Sequence, residues 1–285
     1  PLDPSQLLAQ RPLDNVGVQY GLQALNEGLI TAQQFVDLNQ GIGGFDRDMN
    51  HVPERHRADR QATKRAIESG RILFGGAGLA TTPVIDYRSY NDHREGGDIH
   101  MIVHQFSTRQ RLINANGHAD NHVMHVGGRW DFVEGQDDLG NLFRQMDSWI
   151  RAIQNDSLEA DPERKVARAR PSNLVDSCWD TTSEAVELIE ETLQFNSASR
   201  CGQLYPSYQT PRQIAGAPLA NDIVSCALKP IDLTDYGISF TTEQYQQLLA
   251  VFPEGVCDWS RGDSSGSRHQ GTWNSFGPSP INKLY

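Results

Sequence analysis

Between Thr82 and Gly128 the chain concentrates side chains that can move protons: Asp86, Asp92 and Asp98, with His100, His104, His118, His122 and His125. A carboxylate beside an imidazole is acid–base equipment. The carboxylate orients the ring and stabilises its protonated form, and the ring takes a proton from a nucleophile. Asp92 is the candidate acid, because it lies in the loop leaving an apolar strand, PVIDYR. The candidate bases are His125, on the next strand, and His100, in the stretch GGDIH. Arg88, Tyr90 and Trp130 lie near them in sequence and are candidates to line a substrate pocket. Each has a structural alternative. Asp92 follows Asn91 and fits an Asx turn; Asp98 fits a helix N-cap or first-turn acid; any one histidine can be a satisfied core or surface ring. His100 and His104 share one helix face, a spacing that also suits a metal. The stretch HMIVH, however, lacks the glutamate of HExxH.

The nucleophile is harder to place. Gly262-Asp-Ser-Ser-Gly266 fits G-x-S-x-G formally, but it follows CDWSR and enters SRHQGTW, which is loop in character. A nucleophile elbow needs an apolar strand before it and a helix after it. Ser264 also comes after the acid and the histidines in chain order. The serine is therefore expected on another polypeptide or on a separated segment. The run from Asp37 to Asp48 resembles a calcium loop, but Ile42 stands where glycine is needed and Asp48 replaces the final glutamate. A helix stop with a polar turn is the better reading. No P-loop, GxGxxG or CxxC is present, and no cofactor is expected.

The elements that must hold these residues can be read from periodicity. Helices are expected over about 16–28, after Asp14 as cap, and from a capping box at Thr31 and Gln34. A third is expected over 56–73. The strand Pro83–Arg88, a helix over 98–116 and the strand Val123–Val126 follow. Helices are then expected over 138–154 and in EAVELIEETLQ, capped by Thr182 or Ser183. Asp161–Pro171 reads as a charged connection. Beyond Phe195 short helices are expected near 219–228 and 241–252, and the tail Gly262–Tyr285 reads as irregular.

Composition narrows the class. Of 285 residues, 38% are apolar and 21% charged, as in globular proteins, and the length allows a substantial core. A net charge of −11 disfavours nucleic acid and anionic membranes, which bind through clustered Lys and Arg. No apolar run reaches the roughly 18 residues of a membrane span. The chain begins at Pro1, as a mature or processed product would. Cys178, Cys201, Cys226 and Cys257 show no metal-binding spacing. Two disulfides, most simply Cys178–Cys201 and Cys226–Cys257, would place the protein in the periplasm or outside the cell. Other pairings, or four free thiols, remain open.

Three blocks carry a family resemblance. TPVIDYRSYND…GGDIHMIVHQFSTRQRL, PRQIAGAPLANDIVSCALKPIDLTDYGISFTTEQYQQLLAVFPEGVCDWS and DNVGVQYGLQALNEGLITAQQFVDLNQGIGGFD resemble the C-terminal half of a large bacterial family related to tannase and feruloyl esterase. The resemblance spans most of residues 12–260. It implies an α/β-hydrolase fold, an exported serine-esterase-like activity, and an N-terminal half bearing the nucleophile. By position Asp92 matches the acid, and His100 and His125 both match the base.

The reading is α/β: the C-terminal part of an α/β-hydrolase fold with added helical and loop-rich segments. Residues 1–160 are assigned to the core with a helical insertion, and 161–285 to a helical and loop-rich region packed on it. The expected partner is the N-terminal half or second chain carrying the serine. The expected substrate is a small or polymeric ester, with amides as a further option. Two rivals remain: a non-catalytic interaction or regulatory subunit, and a metal-dependent hydrolase using His100 and His104.

Overall fold

The computed structural model describes residues 9–95, 97–128, 138–158, 161–182 and 186–270. In chain order the elements are α1 (Leu22–Asn26), α2 (Ala32–Gly41), β1 (Gly44–Phe45), β2 (His51–Val52), α3 (Arg60–Glu68) and β3 (Val84–Arg88). Then come α4 (Val103–Asn116), β4 (His122–Val126), α5 (Asp138–Asn155), α6 (Pro162–Arg168), β5 (Ser177–Asp180) and β6 (Glu187–Glu190). The chain continues through α7 (Arg200–Leu204), α8 (Pro211–Ile214), β7 (Cys226–Lys229), α9 (Thr242–Val251) and β8 (Val256–Asp263). It divides into two compact units. One comprises Pro1–Leu73 with Gln209–Tyr285, the other Phe74–Tyr208. Position 160 therefore falls inside the second unit.

The second unit is a mixed α/β layer structure. Its sheet has the order β3-β4-β5-β6; β3, β4 and β5 run parallel, and β6 pairs antiparallel with β5. Parallel neighbours need crossovers, supplied by α4 and by the α5–α6 segment. Side chains alternate along β4. Val123 points to the layer of Trp149, Val166 and Leu174 from α5, α6 and the segment that follows. His122 points to the α4 side, where Arg109 meets it. All five residues of β4 are buried, as expected of a strand covered on both faces. Trp149 is fully buried, and its indole N–H donates to the Val166 carbonyl at 2.9 Å, locking α5 to α6. Gly117 ends α4 at φ 81°, the left-handed stop that glycine takes without strain.

The first unit is built on α2 and α9. Both start with a capping box, Thr31 with Gln34 and Thr241 with Gln244, as their sequences predict. Phe35 and Val36 of α2 and Leu248 of α9 meet Leu25, Tyr236, Phe252 and Val256 in one core. The hairpin β7–β8 carries the disulfide Cys226–Cys257. The other disulfide, Cys178–Cys201, ties β5 to α7 in the second unit.

Several expected elements differ. The helix over 16–28 shrinks to α1, because Gly17 and Gly21 adopt φ of 79° and 81°, which breaks helical continuation. Asp14 does not cap it; its carboxylate accepts from Val16, Ala58 and Ser225 instead. The stretch ELIE is strand, not helix. The open edge of β5 offers a ladder from Ser177 to Asp180, and only Ile189 needs burial. No helix spans 219–228; the chain there leads into β7. Asp161–Arg168, expected as a connection, is the capped helix α6. Residues 256–263 pair as β8, and the tail beyond 270 lies outside the described residues. No described helix is long and apolar enough to cross a membrane.

Candidate active site

In sheets of parallel strands, ligands gather at the carboxyl ends of the strands. The β3–α4 loop, residues 89–102, leaves that end and carries Tyr90, Asp92 and His100. Its bracing starts with Asp92, whose Oδ1 accepts the Ile102 N–H at 2.9 Å. Ile102 is the N-cap position of α4 and makes no side-chain cap of its own. Asp92 thus supplies an anion where the helix dipole favours one. Its Oδ2 is buried, and burial raises its pKa above the ordinary carboxylate value, opposed by the backbone N–H groups of Ile102 and Tyr208.

Asp98 and His100 form the acid–imidazole pair of this loop. Asp98 Oδ1 lies 2.7 Å from His100 Nδ1 and accepts the His100 backbone N–H, also at 2.7 Å. Arg94 donates to Asp98 Oδ2 at 3.0 Å. Hydrogen bonds from His100, with Arg94 nearby, hold the Asp98 carboxyl below its ordinary pKa. With Nδ1 engaged, Nε2 has no partner among the described residues, and the side chain is 70% exposed. His104 adds a brace: its Nε2 lies 3.1 Å from the carbonyl of Ile99, the residue before His100. A carbonyl only accepts, so Nε2 carries the proton. Burial, helped by Arg88, keeps the His104 pKa low and the ring neutral.

His125 has a different setting. It is 4% exposed, and its Nδ1 lies 2.6 Å from Ser177 Oγ on the neighbouring strand. Its ring packs 5.5 Å from that of Trp179. Burial pushes its pKa down to about 4, so it is neutral at pH 7. Among the described residues no hydrogen bond joins Asp92 to His100 or to His125.

The remaining candidates have identifiable partners. Arg88 Nε lies 3.3 Å from Asp86 Oδ1. Tyr90 donates to the Pro206 carbonyl at 2.7 Å, stacks on His93 at 5.1 Å and meets Tyr205 edge-on at 5.2 Å. Burial pushes the Tyr90 hydroxyl pKa up to about 12. Trp130 lies outside the described residues. Ser264 sits in the turn after β8, bonded to Ser225 through both its N–H and its hydroxyl. It belongs to the first unit, and among the described residues no helix follows it as an elbow requires. Among the described residues no group of three His, Cys, Asp or Glu is arranged to hold a metal ion.

One network escaped the sequence reading. Arg109 of α4 makes a bidentate pair with Asp176, at 2.5 and 2.7 Å, and donates from Nε to His122 Nδ1 at 3.2 Å. An arginine only donates, so the His122 proton sits on Nε2, which faces Asp86 Oδ2 at 3.6 Å. Asp176 also accepts the N–H groups of Met124 and Leu193. This line of charges clamps α4 to β3, β4 and the start of β5. No local spacing signals it, since its members come from four segments. The Asp98–His100 pair did have a signal: acid and histidine two apart in a loop can close an Asx turn with the ring on the same carboxylate.

Fold and site thus define an α/β protein that presents a carboxylate-held histidine on the loop leaving a parallel strand. The chain belongs to the tannase-like family of unknown function (DUF6351), whose model matches residues 2–267. No curated protein and no solved structure matches it.

Proposed function

We propose that this chain is part of an exported ester hydrolase in which His100 is the general base, oriented by Asp98. The observation that carries this reading is the 2.7 Å contact from Asp98 Oδ1 to His100 Nδ1, with the Nε2 side open. That is the polarity of a catalytic dyad: carboxylate on Nδ1, nucleophile on Nε2. Membership of a tannase-like family supports ester cleavage. The sequential parallel strands β3, β4 and β5 are compatible with the C-terminal part of an α/β-hydrolase sheet. The two disulfides favour an oxidising compartment.

In this mechanism a serine from another segment or chain attacks the ester carbonyl. His100 Nε2 takes the serine proton and returns it to the leaving alkoxide; a water then repeats the cycle on the acyl-enzyme. Asp98, held ionised, stabilises the imidazolium that forms. Asp92 and His104 hold the loop that carries the pair. Asp92 was the expected triad acid; its engagement with the α4 N-terminus favours this bracing role. His125, buried beside Ser177, is the weaker candidate for the base.

The test is labelling of the native assembly with a fluorophosphonate probe, followed by mass spectrometry of each polypeptide and peptide. A labelled serine whose labelling falls at least tenfold in His100→Gln supports the reading. A complete assembly that takes no label, or takes it equally in His100→Gln, points instead to a non-catalytic subunit.

A further inference from the structure

The first unit contains a pocket of ≈ 490 Å³ that the hydrolase reading does not use. Its volume falls in the range of small-molecule sites, about 300 to 1,000 Å³. Val16, Pro53, Val251 and Phe252 give it apolar walls; Arg55, Glu54 and the paired Arg57 and Glu254 supply its charges.

Arg55 spends its terminal N–H groups on neutral acceptors. Nη1 donates to the carbonyls of Asn15 and Val18, both at 2.8 Å. Nη2 donates to the carbonyl and the side-chain oxygen of Asn39 at 2.9 and 3.1 Å. The guanidinium lies 4.8 Å from the Phe252 ring centre and 5.8 Å from that of Tyr20. These contacts fix its position, and Asn39 brings the C-terminal end of α2 to bear on it. None of them neutralises it. Among the described residues no carboxylate pairs with Arg55, whereas Arg57 at the same pocket is paired with Glu254. Nε is the donor left over: among the described residues the hydrogen bonds of Arg55 all come from Nη1 and Nη2. Burial lowers the pKa of Arg55 to about 10, which leaves it charged at pH 7.

A positioned, partly desolvated cation without a counter-ion, against apolar walls, is a recognition element for a carboxylate with a hydrocarbon body. We propose that this pocket binds a small monocarboxylate, its carboxylate on the Nε side of Arg55 and its apolar body against Phe252, Val251 and Pro53. The site is independent of the reading of His100.

The experiment uses the full chain with cyclohexanecarboxylate as probe and cyclohexanecarboxamide as its neutral counterpart. Binding is followed by calorimetry and by the side-chain Nε–H resonances of arginine. The expected result is a Kd below about 1 mM for the acid, at least tenfold weaker binding of the amide, and a shift of one Nε–H signal that Arg55→Lys removes. If Arg55→Lys fails to fold, Ala250→Trp serves, since Ala250 is exposed on α9 and lines the pocket; it should abolish binding and keep the melting temperature. Equal binding of acid and amide, no binding of either, or undiminished binding in Ala250→Trp would overturn the proposal.

Discussion

Asp98 holds His100 twice, through the ring Nδ1 and through the backbone N–H, both at 2.7 Å on the same carboxylate oxygen. One carboxylate therefore fixes both where the backbone turns and which way the ring faces. In the proposed hydrolase, His100→Gln should lower kcat/KM for an ester by at least about 10³. Asp98→Asn should lower it by about 10² to 10⁴, as loss of the orienting acid does in a triad. Asp92→Asn, acting only through the loop, should cost much less. Steady-state kinetics of the three variants in the intact assembly check this ranking. An Asp92→Asn loss equal to that of His100→Gln would return Asp92 to the triad.

His125 makes stability depend on pH. Folded, its pKa is pushed down to about 4 by burial, against about 6.5 in an unfolded chain. Between those values the unfolded chain binds a proton that the folded chain refuses. Stability is therefore full above about pH 6.5 and falls as the pH drops toward 4, by about 3 kcal/mol in total. Urea denaturation at pH 7.0 and pH 4.5 should show the drop, and His125→Phe should flatten it. An unchanged pH slope in a folded His125→Phe protein would remove this explanation.

Asp176 is the acceptor for Arg109 and for two backbone N–H groups. Burial raises its pKa, but the Arg109 hydrogen bonds and charge outweigh that and hold it low. Asp176→Ala would leave a largely buried guanidinium unpaired, with a cost of about 3 to 5 kcal/mol. Replacing both partners, as Arg109→Met with Asp176→Leu, should cost less than Asp176→Ala alone, even though two N–H groups lose their acceptor. A double-mutant cycle on the denaturation midpoints gives the comparison.

The disulfide Cys226–Cys257 closes a loop with a sequence separation of 31. Constraint of the unfolded chain by a loop of that size is worth about 3 to 4 kcal/mol. Cys226→Ser with Cys257→Ser should lower stability by that amount, and a reducing agent, which also opens Cys178–Cys201, should lower that of the wild-type protein by more. Thermal melts with and without dithiothreitol test both statements.

What the sequence alone determined is local. Thr31 with Gln34 and Thr241 with Gln244 start helices because the cap bonds form within one turn. Gly117 stops α4, and the apolar strands before Asp92 and through His125 are β3 and β4. The blocks that resemble the tannase-like family were also legible, since short residue strings carried them. Tertiary structure decided the rest. ELIE became strand because β5 offered an unpaired edge, which no local pattern reports. Asp92 reached across its own loop to the N-terminus of α4, leaving His100 to Asp98. His125 met Ser177 across a parallel ladder, and Arg109 found His122 and Asp176 through the packing of a helix on a sheet. Those partners are far apart in the chain. A side chain's charge and hydrogen bonds are set by what surrounds it in space, and sequence spacing specifies that only within a turn or two.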